Sequence, residues 1–91
     1  MKIKEIYEAM RADGLTSSQM EFSRIWLGRS ARYYSHLIAV GREPGLATLC
    51  GISWRLNRMQ LKGYPVLLEF QQQLANEIER RAITDIRGHR S

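Results

Sequence analysis

Between residues 22 and 62 the chain carries Arg24, Arg29, Arg32, Arg42, Arg55, Arg58 and Lys62 against a single acid, Glu43. A field of cations this one-sided suits a polyanion, and a nucleic-acid duplex supplies one together with a major groove wide enough for a helix. Arg32 has the forked guanidinium that can donate to guanine O6 and N7 at once, a contact that discriminates bases by about 1–3 kcal/mol; it fits a solvated surface cation equally well. Gln19, Arg29 and Arg42 suit phosphate oxygens, which ask for a donor or a charge and little geometry. Catalytic chemistry is poorly provided for, because the two histidines, His36 and His89, have no nucleophile or carboxylate pair to work with, and no glycine loop of phosphate-cradling type is present. No catalytic residue, cofactor or metal is therefore expected. Cys50 is the only cysteine, which rules out an intramolecular disulfide and a cysteine-based zinc site and makes a reducing cytoplasm the natural setting.

These residues must be held by helices. Ile3, Ile6, Tyr7 and Met10 recur at helical spacing, and Asp13-Gly14 ends that first helix, with Leu15 folding back as an apolar seal. A second start follows, with either Thr16 and Gln19 or Ser18 and Glu21 at capping-box spacing, and Met20, Phe22, Ile25, Trp26 and Leu27 are expected on its buried side. Gly28 stops it. Ser30 is expected to cap a third helix over residues 31–39, with Tyr34, Leu37 and Ile38 inward and Arg32, Tyr33, Ser35 and His36 facing elsewhere. Residues 40–45 form a turn around Gly41, Pro44 and Gly45. Leu46, Leu49, Cys50, Ile52, Leu56 and Met59 mark a fourth helix, with Trp26 and Trp54 in the core and Cys50 as a small buried hydrophobe. After Pro65 a fifth helix runs to about Ile83, and Glu77 can pair with Arg81 along it.

No alternating pattern of strand type is present, and the 91 residues make one domain. The expected fold is all-α, a compact five-helix bundle: residues 1–62 a helix-turn-helix domain, residues 63–83 a C-terminal helix for packing or dimerisation, and residues 84–91 a flexible tail. The start lacks the apolar core of a secretory signal, and no run reaches the roughly 18 apolar residues that span a bilayer. No membrane is expected as partner. The net charge of +5 agrees with an anionic one.

The order Asp13-Gly14-Leu15-Thr16, Phe22 to Leu27-Gly28, Arg29-Ser30 and Gly41-Arg42-Glu43-Pro44-Gly45-Leu46 resembles the Cro/lambda-repressor-like (Xre-type) helix-turn-helix domains over roughly residues 3–56. The resemblance implies that helices two and three form the helix-turn-helix and that helix three enters the major groove. It implies Ser30 as cap of the recognition helix, Ala31, Arg32 and Tyr33 as its base-facing start, and Ser35 and His36 as a second exposed pair. Gln19 then matches a phosphate-clamping amide and Arg42 the basic residue after the recognition helix. Helix two and the segment before Gly41 each carry about one residue more than the common spacing.

The function these readings favour is a small sequence-specific regulator of transcription that binds double-stranded DNA, a repressor or accessory control protein. The alternative is the same fold used as a protein-interaction module, an antagonist or adaptor of a transcription factor. Leu67, Phe70, Leu74 and Ile78 recur at near-heptad spacing, so the fifth helix either zips against a twin, forming a homodimer with recognition helices about 34 Å apart, or packs on its own bundle.

Overall fold

Ile3, Ile6 and Met10 turn one face of the first helix, α1 (Ile3–Ala12), into the core, and Gly14, at φ 75°, closes it. Leu15 donates its N–H back to the carbonyl of Met10 at 2.9 Å and packs against the core, as the seal expected of it. This computed structural model describes residues 3–88, the last four by their backbone alone. All the elements it describes are helices.

The second helix begins as an α-turn, α2 (Gln19–Glu21), capped by Ser18, whose Oγ accepts from the Glu21 N–H at 3.1 Å. Of the two caps the sequence offered, this is the one used. The Glu21 carboxylate reaches one residue further back than a capping box requires, taking the Ser17 hydroxyl at 2.7 Å and the Ser17 N–H at 3.2 Å. Those two bonds hold its pKa below the usual carboxylate range.

From Phe22 the helix widens into a π-helix, Phe22–Trp26, in which Leu27 donates to the carbonyl of Phe22 across five residues. That change of pitch alters part of the expected buried face. At α pitch Phe22 and Ile25 would share a side; at π pitch Phe22 and Leu27 do, with Ser23 beside them, and all three are buried. Met20 and Ile25 are instead left 60% and 57% exposed. Trp26 is half-buried and donates its indole N–H to the Leu15 carbonyl.

The fourth helix, α4 (Leu46–Asn57), buries Thr48, Leu49, Ile52 and Leu56. Cys50 and Trp54 lie roughly 100–160° round the axis from those four residues and face outward, Trp54 at 58% exposure. Neither joins the core as the sequence had promised. Trp54 is covered on one side by the Arg58 guanidinium, 4.8 Å from its ring centroid.

The fifth helix, α5 (Pro65–Gly88), is longer than its apolar pattern predicted. It continues helically through residues 84–88, where a flexible tail was expected; His89, Arg90 and Ser91 lie outside the described residues. Leu67, Phe70 and Leu74 are buried in the chain's own core, with Ile78 half-buried beside them, as α5 packs on α1 and α4. The seam that could have met a twin is thus occupied internally. Glu77 pairs with Arg81 at 2.8 Å, as expected, and with Arg80 at 2.6 Å. Hydrogen bonds from Arg80 and Arg81 hold the Glu77 carboxyl down at about 2, so its contribution to stability is complete above the ordinary carboxylate range and is lost only as pH falls towards that value. Arg81 also donates to the carbonyl of buried Pro44 at 2.7 Å, tying α5 to a turn in the middle of the chain.

Candidate nucleic-acid interface

The third helix, α3 (Tyr33–Val40), begins two residues later than its sequence suggested. Ser30 is not its cap. Tyr33 donates to the Ser30 carbonyl at 3.1 Å, which closes a turn over residues 30–33, and Arg32 sits at φ −96°, ψ 0°, in the bridge region that such turns use. The cap comes from outside the helix. Ser23, fully buried in the π-helix, accepts the Tyr34 N–H on its Oγ at 2.9 Å and so satisfies a first-turn donor that would otherwise be orphaned in the core. Ser23→Ala is expected to cost about 1–3 kcal/mol, because it leaves that buried N–H without a partner. Urea denaturation would measure it, and a loss below a few tenths of a kcal/mol would count against this bridge.

The turn from the π-helix to α3 relies on Gly28, which sits at φ 66°, a left-handed conformation that favours glycine; the Arg55 guanidinium packs against it, 2.7 Å from where a Cβ would stand. Arg55 is itself held by the Gly51 carbonyl at 3.0 Å. At the other end of α3, Gly41 takes φ 67° and donates to the carbonyls of Leu37 and Ile38, while Arg42 donates to Leu37 at 3.0 Å. The sharp reversal leaves the Arg42 side chain exposed beside the helix end.

Between these two turns the buried side of α3 carries Tyr34 and Leu37, and the outer side carries Arg32, Ser35, His36 and Ala39 at i, i+3, i+4, i+7. Ser35 returns its hydroxyl to the Arg32 carbonyl at 3.1 Å. Ile38, expected inward, is 40% exposed on the flank. Tyr34 packs among the rings of Tyr7 and Phe22, and that burial pushes its hydroxyl pKa up to about 12.

Tyr33 departs from its expected place on the reading face. It is half-buried, and its hydroxyl shares a hydrogen bond with Thr48 Oγ1 at 3.3 Å. Thr48 also accepts from Arg29 Nε at 2.9 Å, while the Arg29 guanidinium lies 5.4 Å from the Tyr33 ring. This small network fastens the turn before α3 to α4. Arg29 remains exposed, and its terminal nitrogens make no hydrogen bond among the described residues. Ala31 is half-buried, whereas Ser30 and Gln19, the latter opening α2, are exposed.

The sequence pointed to Arg32, Ser35, His36, Arg29 and Arg42 but not to Ser23 or Thr48. A buried serine next to Phe22 and a buried threonine next to Leu49 are the only hints of these two, and their partners are remote in sequence. No salt bridge among the described residues engages Arg24, Arg29, Arg32, Arg42, Arg55 or Arg58. Nor do those residues contain a cluster of metal-ligating groups or a helix long and apolar enough to cross a membrane.

Fold and surface together define a small all-helical protein whose central arginines meet no acidic partner among the described residues. The chain belongs to a family of unknown function, DUF6626, which matches residues 3–87. Neither the curated proteins nor the solved structures contain a significant match to it.

Proposed function

We propose that the chain is a small sequence-specific regulator that binds double-stranded DNA, a repressor or accessory control protein that acts by occupying its operator. In this reading α2, with its π continuation, and α3 form a helix-turn-helix, and α3 enters the major groove with Arg32, Ser35 and His36 towards base edges. The observation that carries it is the outer stripe of α3. There Arg32, Ser35 and His36 are exposed together, Arg29 and Arg42 stand at the two ends, and none of the three arginines is neutralised by an ion pair among the described residues. Gln19, Ser30, Arg29 and Arg42 supply the phosphate donors that fix register. Tyr33, with its hydroxyl committed to Thr48, drops out of the base-reading set.

The π-helix supports the same reading. A single π turn is how a helix absorbs one inserted residue without losing its ends, and helix two is about one residue longer than the Xre-type spacing it resembles. Selection of binding sites from random duplexes tests the proposal. One enriched motif is expected, and Arg32→Ala should relax a guanine position in it at a cost of about 1–3 kcal/mol. A palindromic motif would indicate two copies on the DNA. Failure to enrich any motif, with no duplex bound at low salt, would discard the function.

A further inference from the structure

Met20, Ile25 and Trp54 are the most exposed large apolar side chains among the described residues, and Ile25 shares a depression with each of the other two. Ile25 lines two neighbouring depressions, one with Met20 and Arg24, the other of about 300 Å³ with Trp26, Trp54, Arg58 and Met59. The strip therefore runs without a break from the start of the second helix to the end of α4. Contiguous apolar surface of this kind marks interaction sites, and tryptophan, methionine and arginine are the residues that interface centres favour. The strip is also separate from the outer stripe of α3. Trp54 stands eight residues along α4 from Leu46, roughly 12 Å from the end that follows the Arg42 turn.

We propose that this strip is a docking site for an amphipathic helical segment of another protein, with apolar anchors on one side and acidic residues flanking them. Charge decides between occupants. Arg24 and Arg58 edge the two depressions without an ion pair among the described residues, and Glu21, the only acid lining them, is already bonded to Ser17. A second copy meeting the strip face to face would set these arginines against their own twins, whereas an acidic segment would neutralise them. Single-stranded nucleic acid fits less well. Met20, Ile25 and Met59 offer bases nothing to hydrogen-bond, the Trp26 indole N–H is given to Leu15, and one face of Trp54 lies under Arg58. A helix with anchors at i, i+3 or i+4, and i+7 would lay them along the strip in the manner of groove-bound helices generally.

Selection from a displayed random-peptide library against the full chain tests the site, followed by fluorescence anisotropy with the best synthetic peptide. Recovered peptides are expected to combine apolar residues at helical spacing with Asp or Glu between them. Ile25→Ser and Trp54→Ser, both at exposed positions, should each weaken that peptide about tenfold or more, while Arg32→Ala leaves it unchanged. Melting curves that match the parent would certify the variants as folded; a variant that melts early is replaced by Ile25→Ala or Trp54→Ala. The proposal is overturned if no peptide is recovered, if recovered peptides lack acids, or if their affinity ignores both substitutions. It is equally overturned if Trp54→Ser abolishes instead a concentration-dependent dimer, oligothymidine binding or binding to anionic vesicles.

Discussion

Phe22→Ala should lower the free energy of unfolding by about 3–5 kcal/mol, while Ile25→Ala, three residues on, stays within about 0.5 kcal/mol. Phe22 is fully buried, and its ring sits 5.2 Å from those of both Tyr7 and Tyr34, in near-perpendicular or steeply inclined edge contacts. The three rings join α1, the second helix and α3. Truncating the middle one therefore removes apolar area, two aromatic contacts and the support behind the outer stripe of α3. Ile25 has no such role, because the π turn carries it to the surface. The pair thus reads out helical pitch directly. Chemical denaturation of both variants measures it, and comparable losses at the two positions would mean that the second helix keeps α pitch.

Duplex affinity is expected to fall by about two to three decades between roughly 50 and 200 mM salt, if about five phosphates are neutralised. The reason is release of condensed counterions, which becomes less favourable as bulk salt rises. Arg29, Arg32 and Arg42 bring to one region charge that no acid among the described residues pairs, so little of their attraction is spent within the chain. An interface made of polar contacts alone would give a shallow slope. Titrations of one labelled duplex at several salt concentrations decide the matter, and an affinity that hardly changes would remove the electrostatic basis of the proposed function.

Much of this architecture can be read from residue spacing, because α1, α4 and α5 bury the periodic positions their sequences announce. Ile3, Ile6 and Met10 do so, as do Leu49, Ile52 and Leu56, and Leu67, Phe70 and Leu74. Local chemistry was equally readable at Ser18, Gly14, Gly41 and the Glu77–Arg81 pair. Periodicity misled at Ile25, where its assumption of 3.6 residues per turn fails, and Met20 was placed inside although two residues before Phe22 is the opposite side of the helix. It also overreached at Trp54 and Cys50, whose apolar character was taken for burial although their positions fall on the outer side of α4, away from Leu49, Ile52 and Leu56. Within the candidate site the outward positions of Arg32, Ser35 and His36 survive a two-residue shift in the start of α3, since their mutual spacing does not depend on the cap. The cap itself, Ser23, and the anchor of Tyr33, Thr48, reach α3 from elements 11 and 15 residues away in sequence, and no local pattern encodes such pairings.

The bond from Arg81 to the Pro44 carbonyl has a consequence for the order in which the protein comes into being. A nascent chain leaves the ribosome N-terminus first, so α1 to α4 are synthesised while the wall that covers them, Leu67 to Arg81, does not yet exist. Until that segment emerges, α1 lacks the cover of α5 and the bend at residue 44 lacks its clasp. The turn beside the surface proposed to meet DNA is therefore fastened only after α5 has been made, and a polypeptide that stopped short of residue 81 would lack the guanidinium that holds it.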